Sequence, residues 1–287
     1  VMMAMAKPLA DGKAVFVGSN AGPAPLAGAQ CNANFFFTSW QNDMQSEAVG
    51  KYATDKGYKN VYIMAPNYQS GKDNVAGFKR YFKGGLSGEV YTTVNQPDYS
   101  AEIAQMQSAK PDALFVFYPG GMGVNFVKQM RQAGLLGQIP LLSVSTTDGS
   151  TLPALKETAL GVISGTFWGP DFNNPASKKF VADFEKKYSR IPSQYAAQAY
   201  DSALLIDSAL KKTGGKAADK AALTNALRAA DFKSVRGNFR FNKNGFPIQD
   251  MHVFEVAKDS ADRVSLKTVS TPLKNLSDPY VTDCPLK

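Results

Sequence analysis

Aromatic and hydroxyl side chains follow the apolar, strand-like runs of this sequence, where they could hold a small molecule. In residues 60–73 an apolar run of strand length ends at Pro66, and Tyr68 and Ser70 come next. After Gly71 apolar residues recur three and four apart, which predicts a helix. Ligands of parallel α/β sheets bind outside the carboxyl ends of the strands, near helix N-termini. The pattern therefore indicates a binding loop that offers one aromatic ring and two hydroxyls.

The glycine-rich loops do not match known catalytic motifs. The run Gly120-Gly121-Met122-Gly123 follows a strand, but it fits neither the dinucleotide fingerprint nor the P-loop, which requires a following Lys and Ser/Thr. Residues 18–22 do not form a nucleophile elbow, because the serine directly follows the first glycine. We interpret both loops as turns that can approach a ligand.

The only histidine, His252, opens an apolar strand, which favours a structural role over a place in a Ser-His-Asp triad. The loops show no close carboxylate pair and no metal-ligand spacing. They offer aromatic rings, hydroxyls, glycines and an amide, which are groups for holding a molecule. The sequence therefore predicts a binding protein that is not an enzyme and needs no cofactor or metal.

Composition is that of a soluble globular protein, with 287 residues, 44% apolar and 20% charged. This length is sufficient for two domains. The sequence contains no run of about 18 apolar residues, so it predicts no membrane span. The net charge of +8 comes from scattered Lys and Arg without a basic stripe interleaved with aromatics. Nucleic-acid binding is therefore not expected.

The two cysteines, Cys31 and Cys284, lie near opposite ends of the chain. In a reducing compartment both would be free thiols, and in an oxidising one they would be natural bridge partners. Their positions alone leave both states open.

Strand and helix patterns alternate along most of the chain, which predicts parallel sheets with helices on both faces. An opening helix is expected to end at Pro8 and Gly12. Later helices are expected from residue 42, after Gly71 and after Gly120. The other predicted strands are 14–17, 35–38, 61–64, 90–93, 113–117, 140–143, 162–167, 237–241, 251–256 and 264–269, and the other predicted helices are 101–108, 176–188, 195–212 and 219–230.

Six stretches together resemble one protein family. They are residues 17–26 (VGSNAGPAPL), 62–73 (YIMAPNYQSGKD), 111–116 (PDALFV), 126–135 (FVKQMRQAGL), 192–201 (PSQYAAQAYD) and 235–241 (VRGNFRF). In this order they resemble the extracytoplasmic solute-binding proteins of ABC importers, of the branched-chain-amino-acid type with the type I periplasmic-binding fold. The likeness covers nearly the whole chain.

This resemblance implies two α/β lobes that are joined by three crossing strands and close over a ligand by a hinge. The crossings map to residues 37–40, 167–169 and 252–253. The first lobe would hold residues 1–37 and 168–251, the second lobe residues 39–166 and 253–270, and a tail residues 271–287. Family members begin with a substantial extra segment, so the resemblance also implies that the N-terminal part of the first lobe is missing here.

Two departures from the amino-acid-binding members concern the ligand. Gly22 stands where those members have a hydroxyl residue, with Ser19 and Asn20 as nearby substitutes. Ser145 stands where they place the carboxylate that pairs with the ligand's ammonium. A buried ammonium without a counter-charge is costly, so we expect no simple α-amino acid as ligand unless Asp148 swings in.

The resemblance then points to the subgroup that binds aromatic carboxylates such as benzoate or hydroxycinnamate derivatives. Hydroxyls and backbone N–H groups would bind the polar ends, while Tyr68, Tyr118 and Tyr195 would clamp the ring. The complete predicted binding set is Ser19, Asn20, Ala21, Gly22, Trp40, Tyr68, Ser70, Tyr118, Gly120, Ser145, Thr146 and Tyr195.

Membership of this family further implies export to the periplasm, a Cys31–Cys284 disulfide, an ABC permease as partner and a monomeric state. Two alternatives stay open. The chain could retain the branched-chain or other amino-acid specificity of the parent family. It could also be a ligand-sensing domain or an α/β enzyme on a similar scaffold, since fold alone does not fix function.

Overall fold

A computed structural model of the chain describes residues 2–287, which form two compact units. Unit 1 comprises the described residues up to Asn42, together with Phe172–Asp250 and Lys274–Lys287. Unit 2 comprises Asp43–Asp171 and Met251–Leu273.

Helices and strands alternate through most of the chain, as the sequence predicts. The helices are α1 (Met2–Asp11), α2 (Ala24–Ala27), α3 (Met44–Asp55), α4 (Gln69–Tyr81), α5 (Ser100–Ser108), α6 (Gly121–Gln132), α7 (Leu152–Leu155), α8 (Pro175–Tyr188), α9 (Gln194–Lys212) and α10 (Lys220–Arg228). The strands are β1 (Phe16–Gly18), β2 (Phe35–Phe37), β3 (Asn60–Pro66), β4 (Gly85–Thr92), β5 (Ala113–Phe117), β6 (Leu141–Val144), β7 (Ile163–Thr166), β8 (Arg240–Phe241), β9 (Pro247–Lys258) and β10 (Val264–Leu276). Two short 3₁₀ helices cover Lys156–Ala159 and Pro279–Asp283.

Unit 2 is built on a sheet in the order β10–β9–β7–β6–β5–β3–β4. Neighbouring strands pair in parallel in β4–β3, β3–β5, β5–β6 and β6–β7. Strand β7 pairs with β9 in the antiparallel sense. Strand β5 is buried along its whole length, which explains its continuous apolar run. Loops at the carboxyl ends of β3, β5 and β6 therefore emerge at one edge of the sheet.

Close helix packing in unit 2 depends on two glycines. A Cβ on Gly50 of α3 would lie 2.2 Å from the carbonyl oxygen of Phe78 in α4, and one on Gly77 would lie 2.5 Å from that of Asp43. Arg80 of α4 also binds the buried carboxylates of Asp43 and Glu47, with 2.9 Å between Arg80 Nη2 and Asp43 Oδ2. Close packing at these glycines and the ion pairs of Arg80 therefore both hold α3 against α4.

Unit 1 buries the two faces of a short parallel pair, β1–β2, in separate clusters. On one face Phe35 and Phe37 pack with Met2, Ala6, Leu26, Ala27 and Phe246. On the other face Phe36 packs with residues of α9 and α10, including Leu205 and Leu227. Side chains alternate between the two faces of a strand, so three consecutive phenylalanines serve both clusters.

The disulfide implied by the resemblance is present in unit 1. Cys31 and Cys284 are bonded with their Cα atoms 5.6 Å apart, although 253 residues separate them in sequence. The bond joins the segment after α2 to the residue that follows the last 3₁₀ helix. It therefore fastens the C-terminal segment to unit 1.

Several element boundaries differ from the sequence-based prediction. Helix α1 continues through Pro8 and ends at Asp11, so of the two residues expected to end it only Gly12 lies at its end. The carbonyl of Ala4, which loses its helical partner at Pro8, belongs to an exposed residue, so water can replace the lost bond. The strand expected at 237–241 is only Arg240–Phe241, because Gly237 adopts a turn with φ of +88°.

Two structural features of the described chain bear on function class. None of the helices within residues 2–287 has the length and apolar character required to cross a membrane. The same residues contain no group of three or more His, Cys, Asp or Glu side chains placed to bind a metal ion.

Replacing both Cys31 and Cys284 with serine is expected to lower the free energy of unfolding by about 2–5 kcal/mol, because the bond restricts the unfolded chain. Denaturant-induced unfolding of the protein purified under oxidising conditions measures this loss. A reductant should destabilise the wild type by a similar amount and leave the double variant unchanged. A wild type insensitive to the reductant would show that the bond does not form.

Candidate functional site

The loop after β1 is held against the segment after β2 by a close backbone approach. The N–H of Asn42 donates to the carbonyl of Gly22 at 2.8 Å, and the N–H of Gly22 donates to Oδ1 of Asn42 at 3.1 Å. A Cβ on residue 22 would lie only 1.9 Å from the carbonyl oxygen of Trp40. This contact explains why residue 22 is a glycine.

The remaining residues of this loop present polar groups at the end of β1. Asn20 and Ala21 are exposed, and Ser19 is half-buried. Oδ1 of Asn20 accepts a hydrogen bond from Nε2 of Gln198, which lies on α9, at 3.1 Å. Since the Gly22 N–H already donates to Asn42, we place the accessible polar groups of this loop at residues 19–21.

Two predicted aromatic residues of unit 1 lie close together. Tyr195 is in the first turn of α9, whose N-cap residue, Ser193, accepts a hydrogen bond from the N–H of Ala196. The Tyr195 ring is 6.4 Å from that of Trp40, which follows β2. Gly22 abuts the backbone of the same tryptophan, so the structure groups Trp40 and Tyr195 with the 19–22 loop.

A buried ion pair anchors the segment after β2. Arg236 donates to the carbonyls of Thr38 and Ser39, the latter at 3.1 Å, and its Nε lies 3.1 Å from Oδ2 of Asp201. Asp201 also accepts hydrogen bonds from the hydroxyl of Ser234 at 2.6 Å and the N–H of Val235 at 3.0 Å. Burial raises the pKa of Asp201 against the influence of the guanidinium, and it lowers the pKa of Arg236 to about 10.

The positioning role of this ion pair was not predicted from the sequence. Both residues occur within the stretches that carry the family resemblance, Asp201 in 192–201 and Arg236 in 235–241. The available signal was a charged residue, Asp201, on the same face of the predicted helix as Ala197, Leu205 and Ala209, because a buried charge requires a partner.

Tyr68 lies at the carboxyl end of β3 in unit 2. It is the N-cap residue of α4, its side chain remains 36% exposed, and its ring is 6.3 Å from that of Phe117. Burial of part of the ring raises the pKa of Tyr68, and the hydroxyl of Ser70 opposes that shift. Helix α4 begins at Gln69, so Ser70 belongs to its first turn rather than to the preceding loop.

Tyr118 is enclosed within unit 2. Its ring lies 4.9 Å from that of Tyr99 and 5.0 Å from that of Phe126, and its hydroxyl oxygen is 3.1 Å from Oγ1 of Thr92. The Tyr118 N–H donates to Oγ1 of Thr146 at 2.9 Å, which ties the loop after β5 to the loop after β6. These contacts give the ring packing partners of its own, so we assign Tyr118 to the support of the loops.

Ser145 has an unusual backbone conformation at the carboxyl end of β6, with φ of +55°. Residues without glycine's freedom rarely adopt this left-handed conformation, and it concentrates at functional sites. Thr146 follows, and its hydroxyl donates to the carbonyl of Val144 at 3.2 Å. Gly120, with φ of +61°, begins the neighbouring turn before α6.

The acidic side chain nearest to Ser145 in this loop already has local partners. Oδ1 of Asp148 accepts hydrogen bonds from the N–H of Ser150 at 2.7 Å and from its hydroxyl at 2.6 Å. His252, the residue that a catalytic triad would require, lies elsewhere in unit 2. Its Nδ1 is 2.9 Å from Oγ1 of Thr271, an arrangement that orients the ring within its sheet.

Comparison with known proteins places these features in a family context. A family model described as "Periplasmic binding protein" matches residues 1–261. The "Leu/Ile/Val-binding protein homolog 6" of Brucella melitensis is 30% identical over 233 residues, which are 77% of this chain and 58% of that protein. The chain thus spans less than two thirds of the length of this curated relative.

Solved structures show the same fold. A solute-binding protein of an ABC transporter from R. palustris, in complex with benzoate, has a TM-score of 0.92 and 27% identity, covering 99% of this chain and 78% of that one. A solute-binding protein from Rhodopseudomonas palustris BisB5, in complex with 3,4-dihydroxy benzoic acid, has a TM-score of 0.85 and 28% identity, covering 96% and 76%.

Replacing Gly22 with alanine is expected to displace the 19–22 loop, because the new Cβ would lie 1.9 Å from the Trp40 carbonyl oxygen. We expect the melting temperature to fall by several degrees, a shift that about 1–3 kcal/mol of overpacking produces. Gly121→Ala is the control, since a Cβ at residue 121 meets nothing within 4 Å. Equal melting temperatures for the two variants would contradict the close approach.

Replacing Arg236 with methionine is expected to destabilise the protein by about 3–5 kcal/mol, since it leaves the Asp201 carboxylate buried without its cation. Chemical denaturation measures the loss. The double variant Arg236→Met/Asp201→Asn should be more stable than the sum of the single effects predicts. Strict additivity would show that the two side chains do not interact.

Proposed function

Because the chain belongs to the periplasmic binding protein family, we propose that it is the periplasmic solute-binding component of an ABC transporter and captures a small aromatic carboxylate. Its two compact units correspond in this proposal to the two lobes of the family fold. The chain acts as a monomer that delivers its ligand to an inner-membrane permease. No reaction is assigned to it.

The side chains of the loop after β6 are the observation that best supports an aromatic carboxylate as the ligand. The group at the left-handed position is the hydroxyl of Ser145, and the adjacent Thr146 also bears a hydroxyl. The one carboxylate of this loop, Asp148, accepts two hydrogen bonds from Ser150. Hydroxyls suit a carboxylate ligand, whereas an α-ammonium group would require a negative counter-charge.

Aromatic side chains support a planar ligand. In unit 2 the Tyr68 ring remains partly exposed at the carboxyl end of β3, and in unit 1 Tyr195 and Trp40 lie beside the 19–22 loop. Aromatic rings stack favourably on flat ligands. We assign the polar ends of the ligand to Ser19, Asn20, Ala21 and Ser145 and its ring to Tyr68 and Tyr195. The benzoate and dihydroxybenzoate complexes of similar proteins are consistent with this choice.

A second candidate function is binding of a branched-chain amino acid. It is favoured by the Brucella melitensis relative, whose name refers to leucine, isoleucine and valine. In that case the ammonium partner must be Asp148, released from Ser150, or a residue outside this sequence.

A thermal-shift screen separates the two candidates, because a ligand that binds only the native state raises the melting temperature. Benzoate, hydroxybenzoates and cinnamates form one set, and leucine, isoleucine and valine form the other. We expect stabilisation by aromatic acids alone. Stabilisation by leucine or valine would establish the second candidate.

Replacing Tyr68 with alanine is expected to weaken binding of the stabilising aromatic acid about tenfold or more, equivalent to about 1.4 kcal/mol, because one stacking surface is lost. The control is Tyr91→Ala, since Tyr91 is also in unit 2 and is 37% exposed against 36% for Tyr68. Isothermal titration calorimetry measures both affinities. Equal affinity in the Tyr68 and Tyr91 variants would rule out the stacking role.

A further inference from the structure

Gln198 has a buried hydrogen-bond acceptor that no described residue uses. The residue is 2% exposed, and its Oε1 atom has no hydrogen-bond partner among residues 2–287. Buried polar side-chain atoms are nearly always paired with protein, water or ligand. An unused acceptor in the interior therefore indicates a group that completes it.

The surroundings of Gln198 place this acceptor beside the predicted binding loop. Its Nε2 donates to Oδ1 of Asn20 at 3.1 Å, and its backbone carbonyl accepts from the hydroxyl of Ser202 at 2.8 Å. Asn20 lies just beyond the carboxyl end of β1, which runs parallel to β2. That edge of a parallel pair is where α/β proteins bind ligands.

The two amides present complementary groups. The hydrogen bond to Asn20 uses the Nε2 of Gln198, which leaves its Oε1 as the acceptor. The same bond uses Oδ1 of Asn20, whose Nδ2 is a donor on an exposed side chain. A group that both donates and accepts a hydrogen bond fits this pair. A carboxylate accepts hydrogen bonds but donates none, so it would leave Oε1 of Gln198 without a donor.

We propose that Gln198 and Asn20 form a subsite for an uncharged hydroxyl group on the ring of the ligand. The hydroxyl donates to Oε1 of Gln198 and accepts from Nδ2 of Asn20. The ligand is then a hydroxylated aromatic acid, whose hydroxyl lies at the loop after β1 and whose carboxylate lies away from it. This inference rests on the proposed function and narrows its ligand class.

The test compares ligands with and without the hydroxyl. Calorimetric titration of the full-length protein with benzoate, 3-hydroxybenzoate and 4-hydroxybenzoate gives the affinity difference that one hydroxyl makes. A site built to hydrogen-bond a hydroxyl discriminates strongly against the analogue that lacks it. We expect one of the hydroxybenzoates to bind about tenfold or more tightly than benzoate.

The variant Gln198→Met removes the acceptor at similar side-chain volume. It should reduce the affinity for the preferred hydroxybenzoate about tenfold while changing that for benzoate by less than about twofold. Gln194→Met, one turn earlier on α9, is the control and should keep the preference. Should Gln198→Met fail to fold, Asn20→Ala on the exposed loop tests the donor, with a selective loss for the hydroxybenzoate expected.

The outcomes of these titrations separate failure of the subsite from failure of the proposed function. Equal binding of benzoate and both hydroxybenzoates to the wild type overturns the subsite while the proposed function stands. The same holds if Gln198→Met weakens benzoate and hydroxybenzoate equally. Binding of no aromatic acid overturns the proposed function and the subsite with it.

Discussion

The buried Arg236–Asp201 ion pair is the constraint on which unit 1 depends. Its guanidinium binds the carbonyls of Thr38 and Ser39, and its carboxylate binds the turn at Ser234 and Val235. Such a pair is costly to desolvate and costly to break, so it fixes these segments relative to α9. Gln198 lies one helical turn before Asp201, so the same anchor positions the amide beside Asn20.

Close backbone contacts fix the loops in place, as the ion pair fixes the segments around α9. Gly22 approaches the Trp40 carbonyl in unit 1, and in unit 2 a Cβ on Gly71 would lie 2.0 Å from the carbonyl oxygen of Pro66. Tyr118 joins two loops of unit 2 through its packing and its N–H bond to Thr146. The proposed binding groups Tyr68 and Ser145 are thereby carried on segments that packing holds in place, which reduces the cost of ordering them around a ligand.

Periodicity in the sequence predicted most strands and the long helices, because buried strands and amphipathic helices leave strong patterns. Spacing could not reveal that Pro8 continues a helix, since that depends on water reaching the freed carbonyl. The packing of Tyr118 was equally hidden, because Tyr99 and Phe126 approach it through tertiary structure. The disulfide followed from the family resemblance, whereas the position of two cysteines alone left it undecided.

We propose that this family member binds an aromatic acid rather than an aliphatic amino acid. Equilibrium dialysis of the full-length protein against labelled benzoate, with a large excess of unlabelled leucine, tests it most directly. We predict that about one benzoate is retained per chain and that leucine does not displace it. Displacement of the labelled benzoate by leucine, or no retention of benzoate at all, would contradict this prediction.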